Sequence, residues 1–409
     1  MSPLLPQLRW LLLLLCVFVG FSAHAASTDM GDDEPMSEAS LKALQQDKVE
    51  IDQSIFTHTW NKVPFDTAYF TFTDAQLKEK WPHMMRGLKL PYPSIELLAY
   101  AKKHYPAFSK GLAPEYLNDL NKYQAALLDA SRDFFAGNFQ NAYNKGKTLG
   151  PLGQLLGAFA ETIYACYLPE RQSVKYMMLQ DVANTFDSFS DMIDDMAEDK
   201  NPDVRAVAAF AYLGYAYNIA RIAEESAIPV VLARGYIGKL KHAANQVLTI
   251  YPNHPLGLAF RAGLDAGIMR RVGKFTGRMT YGARTTVAVG DFEKSIDLVP
   301  DQAITQYEYA NALVYMDQKR ELNSAMRHLE TAIRTRPTFA MEALDSMYAY
   351  KRLQEIRLYA LDYRSFRQFD KDRRHFIDVT DRNLNNVMAP NLTLDMLQHP
   401  EKYKLPPLK

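Results

Sequence analysis

Six carboxylates, Asp187, Asp191, Asp194, Asp195, Glu198 and Asp199, form the densest set of chemistry-bearing side chains in the sequence. Spacings of three and four place several of them on one side of a helix. Carboxylate oxygens gathered in this way suit a calcium ion. Calcium loops, however, alternate acids with a glycine bend, which this run lacks, so a solvated helix face is the expectation. The histidines His58, His83, His104, His242, His254, His328, His375 and His399 are scattered. No pair has the i, i+4 spacing of a helical zinc site, and no cysteine stands near one. No serine sits in a Gly-x-Ser-x-Gly elbow. Gly273-x3-Gly277 and Gly282 lack the preceding strand and the Lys-Ser/Thr ending of a phosphate loop. The sequence thus predicts no catalytic residue, no metal ligand set and no cofactor.

One charged group remains as a candidate for partner binding: Arg270, Arg271, Lys274, Arg278 and Arg284. From Arg261 to Gly290, six positive residues face a single acid, Asp265. Such a stretch can meet an acidic partner or an anionic ligand, or it can be a solvated face paired with acids nearby.

These residues need elements to hold them, and the elements repeat. Ala288, Phe292, Ser295 and Pro300 follow the pattern small-x3-large-x2-small-x4-Pro, the second-helix signature of a tetratricopeptide hairpin. Ala325, Leu329, Ala332 and Pro337 keep the same spacing, and Leu240, Ala244, Val247 and Pro252 form a weaker copy. Helices approach closely where side chains are small, and proline ends the helix before it. Phe210-x2-Leu213-Gly214-x2-Tyr217 reproduces the first-helix signature, and Gly137-x-Phe139-x2-Ala142 reads as an inter-helix turn. Two neighbouring hairpins then depart from the standard length. Insertions near 218–239 and 267–287 fall at the same hairpin position, so stacking puts both on one edge. They read either as lengthened helices or as a lobe that walls a groove.

Outside the repeats, Arg9, the apolar run Trp10 to Phe21 and Ala23-His24-Ala25 form a secretory leader over 1–25, with cleavage between Ala25 and Ala26. A periplasmic or secreted location is therefore expected. Residues 26–53 read as a flexible acidic leader, and 54–113 as an N-terminal helical region, with Thr73 and Ser94 as helix caps. The repeats occupy 114–340. The segment 341–388 reads as C-terminal capping helices whose outer face is free to be charged, with Arg364, Arg367, Lys371, Arg373 and Arg374 making its end basic. The last segment, 389–409, reads as an extended tail. The 47 basic and 47 acidic residues balance, which gives no reason to expect nucleic acid or an acidic membrane as partner. No stretch after the leader is apolar enough to span a bilayer, so no stable membrane insertion is expected. Past the leader, Cys166 in TIYACYL is the one cysteine, and it reads as a small core residue.

The first-helix signature at 210–217, Tyr251-Pro252-Asn253-His254-Pro255, Thr280-Tyr281-Gly282-Ala283 and Glu308-Tyr309-Ala310-Asn311-Ala312-Leu313 resemble a family of exported bacterial tetratricopeptide-like proteins. Trp81-Pro82, Pro91-Tyr92-Pro93 and Ile163-Tyr164-Ala165-x-Tyr167 extend the resemblance over most of the chain. It is more distantly similar to the T component of TRAP transporters and to regulator of microtubule dynamics proteins. Leu240 and Val247, where small residues are usual, and Asn311, where glycine is usual, depart from the pattern. The resemblance implies a binding or scaffolding role and no reaction. The expected fold is an all-α, tetratricopeptide-like solenoid of helical hairpins in a right-handed superhelix. The expected function is binding of a protein or peptide on the concave face. The alternative is a small-molecule binder that assists a solute transporter, and a closed apolar pocket would favour it.

Overall fold

The computed structural model describes residues 50–169 and 171–360, together with Leu394, Asp395, His399 and Lys402. The cleavage site at Ala25 and Ala26, nearly all of the acidic leader and the capping segment from 361 to 388 lie outside the described residues.

Among those residues the protein is all-helical, with eighteen α-helices, three short 3-10 turns and no strand. The N-terminal region holds α1 (Ser54–Thr57), α2 (Asp74–Met84), α3 (Ile95–His104) and α4 (Pro114–Asn118). Both expected caps are made. Thr73 and Gln76 form a reciprocal capping box at the start of α2, and Ser94 Oγ accepts from Leu97 N at 3.2 Å to start α3.

The body begins with α5 (Leu120–Ala136), α6 (Phe139–Gly146), α7 (Gly150–Tyr167), α8 (Gln172–Asp187) and α9 (Ser190–Ala197). Gly137 ends α5 at φ 90°, the left-handed turn that glycine takes without steric cost. Helices α6 and α7 pack backbone to backbone. A Cβ on Gly146 would lie 2.4 Å from the Gly153 carbonyl oxygen and 2.9 Å from the Gly157 nitrogen.

Next come α10 (Pro202–Glu225), α11 (Ile228–Ala233), α12 (Tyr236–Ile250), α13 (Pro255–Val272), α14 (Lys274–Tyr281) and α15 (Thr285–Leu298). Each expected insertion folds as a short extra helix, α11 or α14, between the two long helices of its hairpin. The first helix of the pair is also long, 24 residues in α10 and 18 in α13. The chain then forms α16 (Ala303–Asp317), α17 (Leu322–Arg334) and α18 (Ala340–Ala360).

Sequence neighbours lie side by side: α6 on α7, α10 on α12, α13 on α15, α16 on α17 and α17 on α18. The first helices of successive pairs also touch, α10 with α13, α13 with α16 and α16 with α18. The small residues sit where the pattern puts them. Ala288, Ser295, Ala325 and Ala332 have no exposed surface, and neither do the large residues Phe292 and Leu329. Ser295 Oγ donates to the Pro255 carbonyl at 2.8 Å, tying α15 to α13. Pro252 and Pro300 lie one residue past the C-caps of α12 and α15, and Pro337 is buried between α17 and α18.

Two expectations need correction. Helix α18 is not an outer cap: residues 340–349 are buried on every side. The N-terminal region folds back over it. Phe339 stands edge-on to Phe135 of α5 at 5.4 Å, Arg86 bridges Glu342 at 2.7 Å and Asp301 at 3.0 Å, and Tyr348 Oη donates to the Tyr167 carbonyl at 2.9 Å. The segment 389–409 is not wholly extended. Leu394 and Asp395 have helical backbone, and Leu394 is buried with Phe70, Ala340 and Ala343, because these side chains offer it an apolar seat.

His254 shows how a turn is locked. Its Nδ1 accepts from Gly257 N at 3.0 Å and caps α13. Its Nε2 therefore carries the proton and donates to the Leu88 carbonyl at 3.2 Å. Burial lowers its pKa to about 4 from an unfolded value of 6.5. The unfolded chain thus binds this proton more readily. The contribution to stability is complete above pH 6.5 and is lost as pH falls through about 4. His328, half-buried and lowered to about 4, has the same sign. Urea unfolding midpoints should fall across this window, and His254→Asn, which keeps a capping side chain, should flatten the slope. An equal slope in the variant would remove His254 from the account.

Candidate ligand-binding cavity

The side chains of α7, α10, α13, α16 and α18 do not close completely on one another. They leave a cavity of about 710 Å³, within the usual range for small-molecule sites of about 300–1,000 Å³. Phe159 and Ile163 of α7, Phe210 and Leu213 of α10, and Phe260 and Leu264 of α13 supply apolar wall. The short helix α11 adds Ile228, Val231 and Leu232, and α14 adds Tyr281.

Missing side chains create part of this space. Gly263 and Gly267, one turn apart on α13, both line the cavity. A Cβ on Gly267 would meet nothing within 4 Å, and one on Gly263 only Phe292 Cζ at 4.0 Å. Gly214 of the first-helix signature is different. Its Cβ would lie 2.9 Å from Phe186 Cζ, so this glycine makes room for a ring of α8. Tyr217 of the same signature lines the cavity.

Charge is concentrated on one side of the wall. Arg221 donates to Glu308 and to Glu224, both at 2.9 Å, and its guanidinium lies 4.7 Å from the Tyr217 ring centre. Lys175 pairs with Glu225 at 2.8 Å. Asp345 of α18 is 1% exposed and accepts a hydrogen bond from the Tyr167 hydroxyl. Burial first, then the neighbouring carboxylates Glu342 and Glu308, hold its pKa well above the usual carboxylate range. Burial likewise raises Tyr217 and Tyr167 well above the usual phenol value. Cys166 is half-buried, packs against the core and also lines the cavity. Burial raises its thiol pKa, which keeps it protonated and unreactive.

The basic residues singled out from the sequence divide. Arg270 and Arg271 reach the cavity wall. Arg270 lies over the Tyr315 ring at 4.7 Å. Arg271 Nη2 donates to the carbonyls of Ala223, Glu224 and Ser226 at 2.6, 3.1 and 2.9 Å, so it clamps the end of α10 to the end of α13. Lys274 lies 3.8 Å from Asp317. Arg278 is exposed on α14, and Arg284 is exposed before α15, its backbone N–H donating to Asp265 at 3.1 Å. The five therefore do not form one patch.

Asp187, Asp191, Asp194, Asp195 and Glu198 of the acidic run are exposed, as a solvated face would be, and two members of the run also make ties. Asp194 accepts from the Tyr212 hydroxyl, and Asp199 from the hydroxyls of Tyr100 and Tyr105 and from Asn201 N. Among the described residues no group of three His, Cys, Asp or Glu side chains is placed to hold a metal ion, and no helix is long and apolar enough to cross a membrane.

Sequence reasoning missed Arg221, Glu308 and Asp345. Their signal was present but diffuse: each is a charge set among apolar neighbours, as in NIARIAEE, TQYEYAN and EALDSMY. Comparison of the chain with family models, with curated proteins and with solved structures gives no match.

Proposed function

We propose that the protein is an exported, tetratricopeptide-like helical repeat protein that binds a small amphipathic molecule in its central cavity and does no chemistry on it. The supporting observation is the cavity itself, about 710 Å³ with apolar walls and a charged side. Its volume is that of a small-molecule site. The repeat architecture is supported by the pairing of sequence neighbours and by the buried small residues at their contacts, and a right-handed sense is part of the same proposal. A role as accessory to a solute-transport system is part of the same proposal, and the insertion helices α11 and α14 stand at the cavity wall.

A second reading, contact with a protein or peptide, is favoured by one observation. Phe275 and Met279 on α14 are 80% and 70% exposed, unusual for large apolar side chains that lie close together. Native mass spectrometry of the protein recovered from the exported fraction separates the two readings. A single adduct on the order of a few hundred daltons is expected from a site of this size. A polypeptide-sized adduct alone would replace the first reading with the second, and a bare chain after exposure to membrane and soluble extracts would contradict both.

A further inference from the structure

Each cation that lines the cavity already has a partner, and one oxygen of a buried carboxyl has none. Arg221 holds Glu308 and Glu224, Lys175 holds Glu225, Arg271 holds three carbonyls, and Arg270 lies on Tyr315. Asp345 faces the same cavity and is 1% exposed. Its Oδ1 accepts from the Tyr167 hydroxyl, but its Oδ2 finds no donor among the described residues. The charges that raise its pKa, Glu342 and Glu308, are both acidic, and each is already paired, with Arg86 at 2.7 Å and with Arg221 at 2.9 Å. A second acceptor on the wall, Asn311 Oδ1, is also buried and without a donor. Buried acceptors are seldom left without a donor, since each costs about 1–3 kcal/mol. Aromatic rings bound this corner: Tyr167 and Tyr348 stand edge to face at 4.7 Å, and Tyr217 is close enough to feel the charge of Asp345.

Resting on the cavity-binding reading above, we propose that the ligand is an amphipathic amine, whose protonated head donates to Asp345 Oδ2 beside the tyrosine rings while its hydrocarbon body lies along Phe159, Phe210 and Leu264. An ammonium supplies both things the corner lacks, N–H donors and positive charge. The ring faces add cation–π attraction. A carboxylate or phosphate head would bring no N–H donor for Asp345 Oδ2. A quaternary ammonium would bring charge without a donor for Oδ2, so an amine bearing N–H is the better fit. The raised pKa of Asp345 accords with this: the carboxyl is costly to ionise alone and becomes favourable to ionise once a cation arrives.

Isothermal titration of the full mature chain with decylamine, decyltrimethylammonium, decanol and decanoate tests the proposal, on the unaltered protein and on Asp345→Asn. The asparagine keeps the shape and an acceptor for Tyr167 while removing the charge. Decylamine should bind tightest, and Asp345→Asn should weaken it about 10- to 100-fold, the loss of a charge-assisted hydrogen bond. Decanol should change little. Decanol or decanoate binding the unaltered protein as tightly as decylamine would overturn the amine assignment, as would undiminished decylamine binding by the variant, and either would leave the cavity reading standing. Should the variant fail to fold, the order of the four affinities on the unaltered protein decides. If none of the four binds, the cavity reading falls as well.

Discussion

Phe339→Ala lowers the free energy of unfolding by about 3–5 kcal/mol, the cost typical of removing a fully buried aromatic ring. Phe339 is 1% exposed and immediately precedes α18. Its ring meets Phe135 at 5.4 Å and Phe134 at 6.4 Å, both on α5, more than two hundred positions earlier in the chain. Phe134 in turn touches Phe159 at 5.1 Å, and Phe159 lines the cavity. The ring thus joins α18 to α5, two ring contacts away from the cavity wall. The neighbourhood has little freedom to collapse into the vacated space. A Cβ on Gly137 would already lie 3.1 Å from Ala340 Cβ and 2.9 Å from Val63, so the backbones there are at contact distance. Urea denaturation followed by far-UV circular dichroism measures the change. A loss under about 1 kcal/mol would mean that α18 is held from one side only, as an outer cap would be.

Gly267→Trp abolishes ligand binding while leaving the protein at least as stable as before. Gly267 is in the interior of α13, faces the cavity and has no atom within 4 Å of where a Cβ would stand. Replacing a helical glycine removes a conformational penalty of up to about 1 kcal/mol, and an indole laid on apolar wall adds burial. Most large residues forced into a protein interior destabilise it through overpacking. Here the room exists, so stability and binding move in opposite directions, and a general loss of structure cannot imitate that. A lower melting temperature together with lost binding would mean that the space is not open as described.

Local chemistry was legible in the sequence, and long-range closure was not. Thr73 and Ser94 could be read as caps because a capping side chain acts on backbone two or three residues away. Gly137, Pro252 and Pro300 act within one turn, so they were legible for the same reason. Ala288, Ser295, Ala325 and Ala332 were legible because small residues at fixed spacing mark where two helices close on each other. The return of α18 onto α5 depends on Phe339 meeting Phe134 and Phe135, and no periodicity encodes a contact between such distant positions. The glycines show the limit most clearly. Gly214 makes room for Phe186, Gly146 for the backbone of α7, and Gly267 for nothing in the protein, yet all three are helical glycines among apolar neighbours. The cavity was hidden because its signature is the absence of a neighbour. The basic stretch around Arg271 looked like a partner surface because sequence shows charge but not the carbonyls that neutralise it.

The central claim is that the inward-facing helices enclose a site for a small apolar or amphipathic molecule. Its most direct test is a fluorescence titration of the neutral apolar dye N-phenyl-1-naphthylamine into the unaltered protein and into Gly267→Trp. The account predicts saturable binding at one site per chain in the unaltered protein and none in the variant, whose melting temperature is undiminished. Equal binding by the two proteins, or no saturable binding by either, would contradict it.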